Sequence, residues 1–163
     1  MLLKPETPER MAIRRGRETF TATITPRARL TAWPTLAAPR LGLAAPEVEG
    51  ALYRGERRPQ GRRILFFWAT WCRPCKAAIP ELLALSKREN IPVIAITDEG
   101  RAELDPFFTR WKDPFPAIVI SDEPRRSMAE YGVSGTPTFV LIDDAGLIRG
   151  YKVGYAPEEG LRL

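Results

Sequence analysis

The chain has 163 residues, 44% of them apolar, which is enough for one domain with a substantial hydrophobic core. It contains no histidine, which excludes Cys–His and Ser–His catalysis and the histidine-based metal sites. Its two cysteines are too few for a disulfide scaffold. The positive charge lies at the front, since residues 1–63 carry 13 Lys and Arg against 6 Asp and Glu, whereas residues 64–163 carry 12 against 14.

Residues 1–44 combine prolines and arginines with little periodicity, which predicts a basic, proline-rich arm or linker ahead of a domain over 45–163. Only Glu18–Thr25 alternates enough to suggest an edge strand. A basic arm is able to contact an anionic membrane surface, but no aromatic–basic motif indicates nucleic acid, and a solvated arm is the favoured interpretation. No signal peptide or membrane-spanning run is apparent, so the cytoplasm is one expected compartment.

From residue 62 the pattern predicts regular elements. They are a strand over 63–69, a helix over 73–90, a strand over 92–97, a helix over 102–112, a strand over 117–120, a helix over 125–131, a strand over 138–142, a turn over 143–146 and a strand over 147–153. Pro80 is expected to kink the first helix, while Asp105 and Pro106 suit the N-cap and first residue of the second. This order predicts an α/β fold, with a mixed sheet that ends in a β-hairpin and carries helices on both faces.

Both cysteines lie in the stretch FWATWCRPCK at 67–76, where the buried strand gives way to the helix. The unpaired N–H groups and positive dipole end of that helix face the sulfur of Cys72, and Arg73 adds positive charge, so a lowered thiol pKa is expected there. Cys75 lies one turn later on the same face, and Pro74 stiffens the bridge between the two. This geometry predicts that an exposed Cys72 attacks a partner and that a shielded Cys75 resolves the mixed disulfide.

Two other interpretations of the cysteine pair are open, a structural staple and half of a metal site. A structural staple that closes so short a loop removes little chain entropy. A metal site needs about four ligands, and two thiolates without histidine would require a second chain or carboxylates. The redox pair is favoured because it alone explains the position between strand and helix.

Gly135-Thr136-Pro137-Thr138 precedes the strand TFVLI. Only about 5–6% of X–Pro bonds in folded proteins are cis. In a chain with this CxxC motif and element order, however, Pro137 is a candidate cis-proline lying against the cysteine pair. The backbone of Thr136 would then be free to pair with an extended segment of a partner.

Together these motifs resemble the thioredoxin superfamily and, within it, the TlpA-like group of bacterial thiol–disulfide oxidoreductases. The resemblance covers roughly 62–155 and rests on FWATWCRPC at 67–75, Pro80, FPAIVISDEPRRSMAEYGV at 115–133, GTPTFVLID at 135–143, Gly146 and Gly154. It implies a thioredoxin-like three-layer α/β/α fold, electron exchange with protein thiols and disulfides, an upstream redox partner, no bound cofactor and a location in the cell envelope. We also expect a monomer.

The resemblance also assigns roles to residues. Cys72 would be the nucleophile, Cys75 the resolving thiol and Pro137 the cis-proline. The surface that binds the partner would be formed by Trp71, Arg73, Pro74, Thr136 and Pro137. The two residues between the cysteines are also expected to tune the redox potential.

Three departures from the group's pattern stand out. Phe66 takes the place of the aspartate that thioredoxins bury before the motif, and Ala78 that of the glutamate that TlpA-like proteins often carry after it. The group is typically exported and often membrane-anchored, yet no such signal is visible, and the usual last helix is nearly absent. Because neither carboxylate is present, slower resolution by Cys75 or a shifted redox poise is expected.

The leading hypothesis is a thiol–disulfide oxidoreductase that reduces partner proteins. The alternative is a binding module that presents the surface around Trp71 and Thr136 with weak or no redox turnover. A Cu(I) chaperone is less favoured, because related copper carriers add a histidine ligand that this chain lacks.

Overall fold

The computed structural model describes residues 9–15, 18–24, 41–55, 60–122 and 125–163, in two compact units, Met1–Thr35 and Leu36–Leu163. In the first unit β1 (Glu9–Arg15) pairs antiparallel with β2 (Glu18–Ile24). The strand expected at 18–25 is therefore present, in line with the β propensity of its alternating threonines. The expectation of little regular structure over 1–44 is wrong for these two strands, because β1 supplies a hydrogen-bonding partner that the weak sequence pattern did not reveal.

Residues 41–44 hydrogen-bond within the second unit. The Gly42 N–H donates to the Ile148 carbonyl at 2.7 Å, the Ile148 N–H donates to the Leu43 carbonyl at 2.9 Å, and Ala44 forms an isolated bridge with Leu147. The division of the chain into an arm and a domain after residue 44 stays a prediction.

The second unit contains the elements expected from residue 62 onward. It consists of β3 (Ala51–Arg54), β4 (Arg63–Phe67), α1 (Arg73–Glu89), β5 (Val93–Thr97), α2 (Arg101–Arg110), β6 (Ile118–Ser121), α3 (Arg126–Glu130), β7 (Thr138–Ile142) and β8 (Ile148–Val153). The short, largely exposed β3 was not predicted.

The start of α2 differs from its prediction. Glu103 accepts a hydrogen bond from the Gly100 N–H at 3.1 Å, so the helix is capped at residue 100 and begins at Arg101. Asp105 and Pro106 consequently lie inside the helix, and the assignment of Asp105 as its N-cap is wrong.

The sheet has the strand order β3-β6-β5-β4-β7-β8. Strands β4, β5 and β6 run parallel, whereas β3, β7 and β8 are antiparallel to their neighbours. Central strand β4 is buried from Ile64 to Phe67, because helices or loops cover both faces of the sheet. This explains why its sequence is a continuous apolar run rather than an alternating one.

Alternate residues of β4 point to opposite faces of the sheet and enter two separate cores. Ile64 and Phe66 join the core with the buried faces of α1 and α2, while Leu65 and Phe67 join the one that contains Met128 of α3. The thioredoxin-like α/β/α layering around a mixed sheet is therefore confirmed.

The C-terminal segment packs on α1 without forming a long helix. Glu81 of α1 accepts hydrogen bonds from the Leu161 N–H at 2.7 Å and from the Tyr155 hydroxyl at 2.9 Å. Leu161 is buried in the same core as α1. The sequence predicted that one face of the sheet would be less covered, because the usual last helix is nearly absent. The C-terminal segment covers part of that face.

None of the helices in the described part of the chain is long and apolar enough to cross a membrane.

Candidate functional site

The site lies at the edge of the sheet where β4 ends and β7 begins. Phe67, the last residue of β4, is opposite Thr138, the first residue of β7. Because these strands are antiparallel neighbours, the loop that leads to Cys72 and the loop that contains Pro137 meet at one edge. The sheet register thus brings together two motifs that are more than sixty residues apart in the sequence.

Cys72 is the N-cap residue of α1. Its backbone is extended, with φ −74° and ψ 100°, and its Sγ accepts a hydrogen bond from the Cys75 N–H at 3.2 Å. The predicted position of this sulfur at a helix N-terminus is therefore observed. Cys72 and Cys75 form a disulfide, with Cα atoms 5.2 Å apart.

Burial of the two cysteines differs in part from the expectation. Cys75 is fully buried, as predicted, but Cys72 is only 2% exposed, so its expected exposure is wrong for the disulfide form. The physical reason is that its sulfur is bonded to Cys75 and the residue packs into the core with Trp68 and Ala69. Neighbouring Trp71 is instead 75% exposed.

The Thr136–Pro137 peptide bond is cis, as the sequence predicted. The Gly154 N–H donates to the Pro137 carbonyl and the Thr138 hydroxyl donates to the Gly135 carbonyl, both at 2.7 Å, and these bonds fix the loop. Among the described residues, Thr136 has no hydrogen-bond partner for its backbone groups or for its buried Oγ1.

Arg73 and Pro74 are exposed in the first turn of α1. Nearby, the Lys76 ammonium lies 5.5 Å from the centroid of the Phe107 ring. The functional roles predicted for the residues of this site stay predictions.

Both positions expected to carry a carboxylate are filled by apolar side chains. Phe66 is fully buried and stacks on Phe139, with ring centroids 5.3 Å apart. Ala78 is also fully buried, in the same core as Cys75. Cys75 is therefore buried in the same hydrophobic core as the two residues that take the place of the carboxylates.

Glu99 was not singled out from the sequence, yet it holds the loop that leads to Cys72. Its carboxylate accepts hydrogen bonds from the Thr70 N–H at 2.6 Å, the Thr70 hydroxyl at 2.7 Å and the Thr97 hydroxyl at 3.2 Å. A signal for it existed: Glu99 follows β5, a parallel neighbour of β4, so it falls at the edge of the sheet where the CxxC motif was expected.

Two clefts flank the exposed Trp71. One, of about 390 Å³, lies toward α2 and is called the α2 cleft below; its lining includes Lys76, Phe107 and Arg110. The other, of about 210 Å³, is shared by Trp71 with Thr136 and contains the ion pair of Asp98 and Arg125, which are 3.2 Å apart. Trp71 therefore stands between two recesses on the surface beside the disulfide.

Within the described ranges, no group of three or more acidic or cysteine side chains is placed to hold a metal ion.

A disulfide at the N-terminus of a helix that follows a buried strand, at the same sheet edge as a cis-proline that precedes the adjacent strand, is an arrangement typical of the thioredoxin-like fold. The chain belongs to the AhpC/TSA family, whose sequence model matches residues 38–151. The resemblance to the thioredoxin superfamily is thereby confirmed.

Individual relatives agree with this assignment. The chain is 33% identical over 115 residues to a thiol:disulfide interchange protein DsbE homolog of Paracoccus denitrificans, which covers 66% of this chain and 63% of that protein. It is 28% identical over 103 residues to the thiol-disulfide oxidoreductase ResA of Geobacillus thermodenitrificans. That alignment covers 61% of this chain and 58% of the ResA protein. The chain thus spans about three fifths of the length of these two curated relatives.

Among solved structures, a Chlorobium tepidum protein assigned as thiol:disulfide interchange protein DsbE superposes with a TM-score of 0.60 at 26% identity. The superposition covers 74% of this chain and 89% of that one. These relatives are named as thiol–disulfide exchange proteins, as are the members of the TlpA-like group that the sequence motifs resemble.

Proposed function

We propose that the chain is a thiol–disulfide oxidoreductase that exchanges electrons with partner proteins through Cys72 and Cys75. One observation carries the proposal: the Cys72 sulfur caps α1 and is bonded to Cys75 one turn further on. Amide donors and the helix dipole stabilise a thiolate at that position, and a thiolate is the attacking species in disulfide exchange.

The proposed reaction begins with the reduced pair. The Cys72 thiolate attacks one sulfur of a partner disulfide, that S–S bond breaks, and the other partner sulfur leaves as a thiolate that takes up a proton. Cys75 then loses its proton and attacks the Cys72 sulfur, which releases the second partner thiol. Two electrons have passed to the partner, and a dithiol of an upstream protein must reduce the Cys72–Cys75 disulfide again.

The proposed direction is reduction of the partner, in keeping with the group that the sequence resembles. Trp71 and the free backbone groups of Thr136 support partner binding at the same edge. An extended partner segment would add to the Thr136 backbone, as in other strand-addition complexes.

The test is reduction of insulin disulfides in the presence of dithiothreitol, with the wild type, Cys72→Ser and Cys75→Ser. We expect Cys72→Ser to reduce insulin no faster than dithiothreitol alone. Incubated with insulin in the absence of dithiothreitol, reduced Cys75→Ser should accumulate a mixed disulfide on Cys72 that mass spectrometry detects. Turnover that survives in Cys72→Ser would refute the proposed role of this sulfur.

A second candidate function is a binding module with little redox turnover. It is supported by the apolar groups at Phe66 and Ala78, which leave Cys75 without the usual nearby base. Equal partner binding by the wild type and Cys72→Ser, with no insulin reduction by either, would favour this module over the enzyme.

A further inference from the structure

The α2 cleft has an aromatic lining and carries charged groups at its margin. Trp71, Phe107 and Trp111 contribute rings, and Phe107 stacks on Trp111 with centroids 5.4 Å apart. Trp71 is the residue directly before Cys72 in the chain. A group bound in this cleft would therefore lie close to the sulfur that reacts.

Cations outnumber anions in the α2 cleft. Lys76 and Arg110 face one acid, Glu103, which already accepts the Gly100 N–H. Within the described part of the chain, neither Lys76 nor Arg110 forms an ion pair. The cleft thus offers positive charge that the protein itself leaves unneutralised.

The cleft on the other side of Trp71 differs in this respect. Its cation, Arg125, is paired with Asp98 at 3.2 Å. Of the two clefts beside Trp71, the one toward α2 is therefore the one that favours electrostatic recognition of a partner. Charge complementarity of this kind contributes mainly to specificity and association rate.

We propose that the α2 cleft receives an acidic side chain of the partner protein, from a residue beside the cysteine that exchanges with Cys72. The carboxylate lies between Lys76 and Arg110, and the methylenes of a glutamate pack on the exposed ring of Trp71. This proposal rests on the proposed function and specifies the class of substrate: disulfides with an acidic residue flanking the reactive cysteine.

The test uses three peptides with an intramolecular disulfide that differ only in a Glu, Gln or Lys beside the reactive cysteine. Rate constants for their reduction are compared for the wild type, Arg110→Glu and Arg162→Glu. Arg110 and Arg162 are both exposed, and Arg162 lies near Leu85 and Ile91, at the far end of α1, so it matches the change in charge without touching the cleft.

We expect the wild type to reduce the Glu peptide about threefold to tenfold faster than the Lys peptide at low salt, with a smaller ratio at high salt. Arg110→Glu should invert the preference, whereas Arg162→Glu should retain it. Equal rates for the three peptides, or the same shift in both variants, would overturn the proposal.

A binding measurement separates this proposal from the proposed function. Linear peptides with serine in place of cysteine are titrated into Cys72→Ser, and the change in tryptophan fluorescence, to which Trp71 and Trp111 of the cleft contribute, reports their affinity. Tighter binding of the Glu peptide, lost in the Arg110→Glu background, supports the cleft even if no variant reduces a disulfide. Equal affinities overturn the cleft even if the insulin assay confirms the oxidoreductase.

Discussion

The carboxylate of Glu99 fixes the loop that carries Trp71 and Cys72, because it binds both the N–H and the hydroxyl of Thr70. Hydrogen bonds to a charged group contribute about 1.5–3 kcal/mol each when buried, and these are only partly buried. We expect Glu99→Ala to lower the free energy of unfolding by about 1–3 kcal/mol and to slow insulin reduction.

Urea unfolding of Glu99→Ala, Thr70→Val and the double variant measures the coupling between these two residues. Thr70→Val keeps the N–H and removes only the hydroxyl. Additive losses would mean that the Thr70 hydroxyl and Glu99 do not stabilise the loop together.

A substitution at Ala78 tests whether the lack of a carboxylate near Cys75 slows its attack on the mixed disulfide. We expect Ala78→Glu to lower the free energy of unfolding by about 2–4 kcal/mol, because a carboxyl group enters a fully buried apolar site. Burial also raises the pKa of such a carboxyl group, which suits it to accept a proton near neutral pH. Release of the mixed disulfide, followed by stopped flow, should therefore become faster.

Ala77→Glu is the matched control, since Ala77 is exposed on the same helix. If Ala78→Glu releases the mixed disulfide no faster than Ala77→Glu, proton removal from Cys75 does not limit the reaction.

Among single residues, the sequence identified those whose role depends on residues close to them in the chain. Cys72 and Cys75 were found from their spacing and from the strand–helix junction, and Pro137 from its position ahead of a strand. Glu99 was missed because its role depends on the pairing of β4 with β5, which sets Thr70 beside a residue 29 positions away.

Among the elements, α1 both presents the cysteines and holds the C-terminal segment through Glu81. The Leu161 N–H and then the Tyr155 hydroxyl bind its carboxylate and hold its pKa below the ordinary value of 4.5. A lowered pKa in the folded state stabilises the protein above that ordinary value, and the stabilisation is lost as the pH falls through the pKa of the folded state.

We therefore expect Glu81→Gln to be less stable than the wild type by about 1–2 kcal/mol near neutral pH, with the difference shrinking below pH 4.5. Urea unfolding at several pH values measures it. Glu89→Gln, at the exposed end of the same helix, is the control. A difference that stays constant from neutral to acidic pH would show that the Glu81 charge contributes nothing.

The elements that the sequence predicted well are those with strong internal patterns. β4, β5 and β7 are apolar runs in the middle of the sheet, and α1 has helical spacing over its length. β3 was missed since its four residues are mostly exposed and are ordered by pairing with β6. The N-cap of α2 was predicted at the wrong residue. Asp105-Pro106 is a local pattern typical of a helix start, but the helix begins after Gly100, whose N–H donates to the side chain of Glu103.

For the whole molecule, the division of the chain leads to a prediction about truncation. A variant that begins at Leu36 should keep the stability of the second unit, because all of the described residues in its two cores lie within 45–163. A variant that begins at Ala45 should be less stable by about 1–3 kcal/mol, since it lacks the hydrogen bonds of Gly42 and Leu43 with Ile148.

Thermal or urea unfolding of the two truncated chains distinguishes the boundaries. Equal stability of both would favour the division after residue 44 that composition predicted. Composition alone could not decide between them, because the bonds that hold 41–44 are formed with β8 at the other end of the chain.

The central claim is that the N-terminus of α1 makes Cys72 the attacking sulfur. Its most direct test is a pH titration of thiolate absorbance in Cys75→Ser, which leaves one thiol and keeps the backbone N–H that bonds to it. We predict a pKa for Cys72 well below that of free cysteine, about 8.5. A value at or above that of free cysteine would contradict the account.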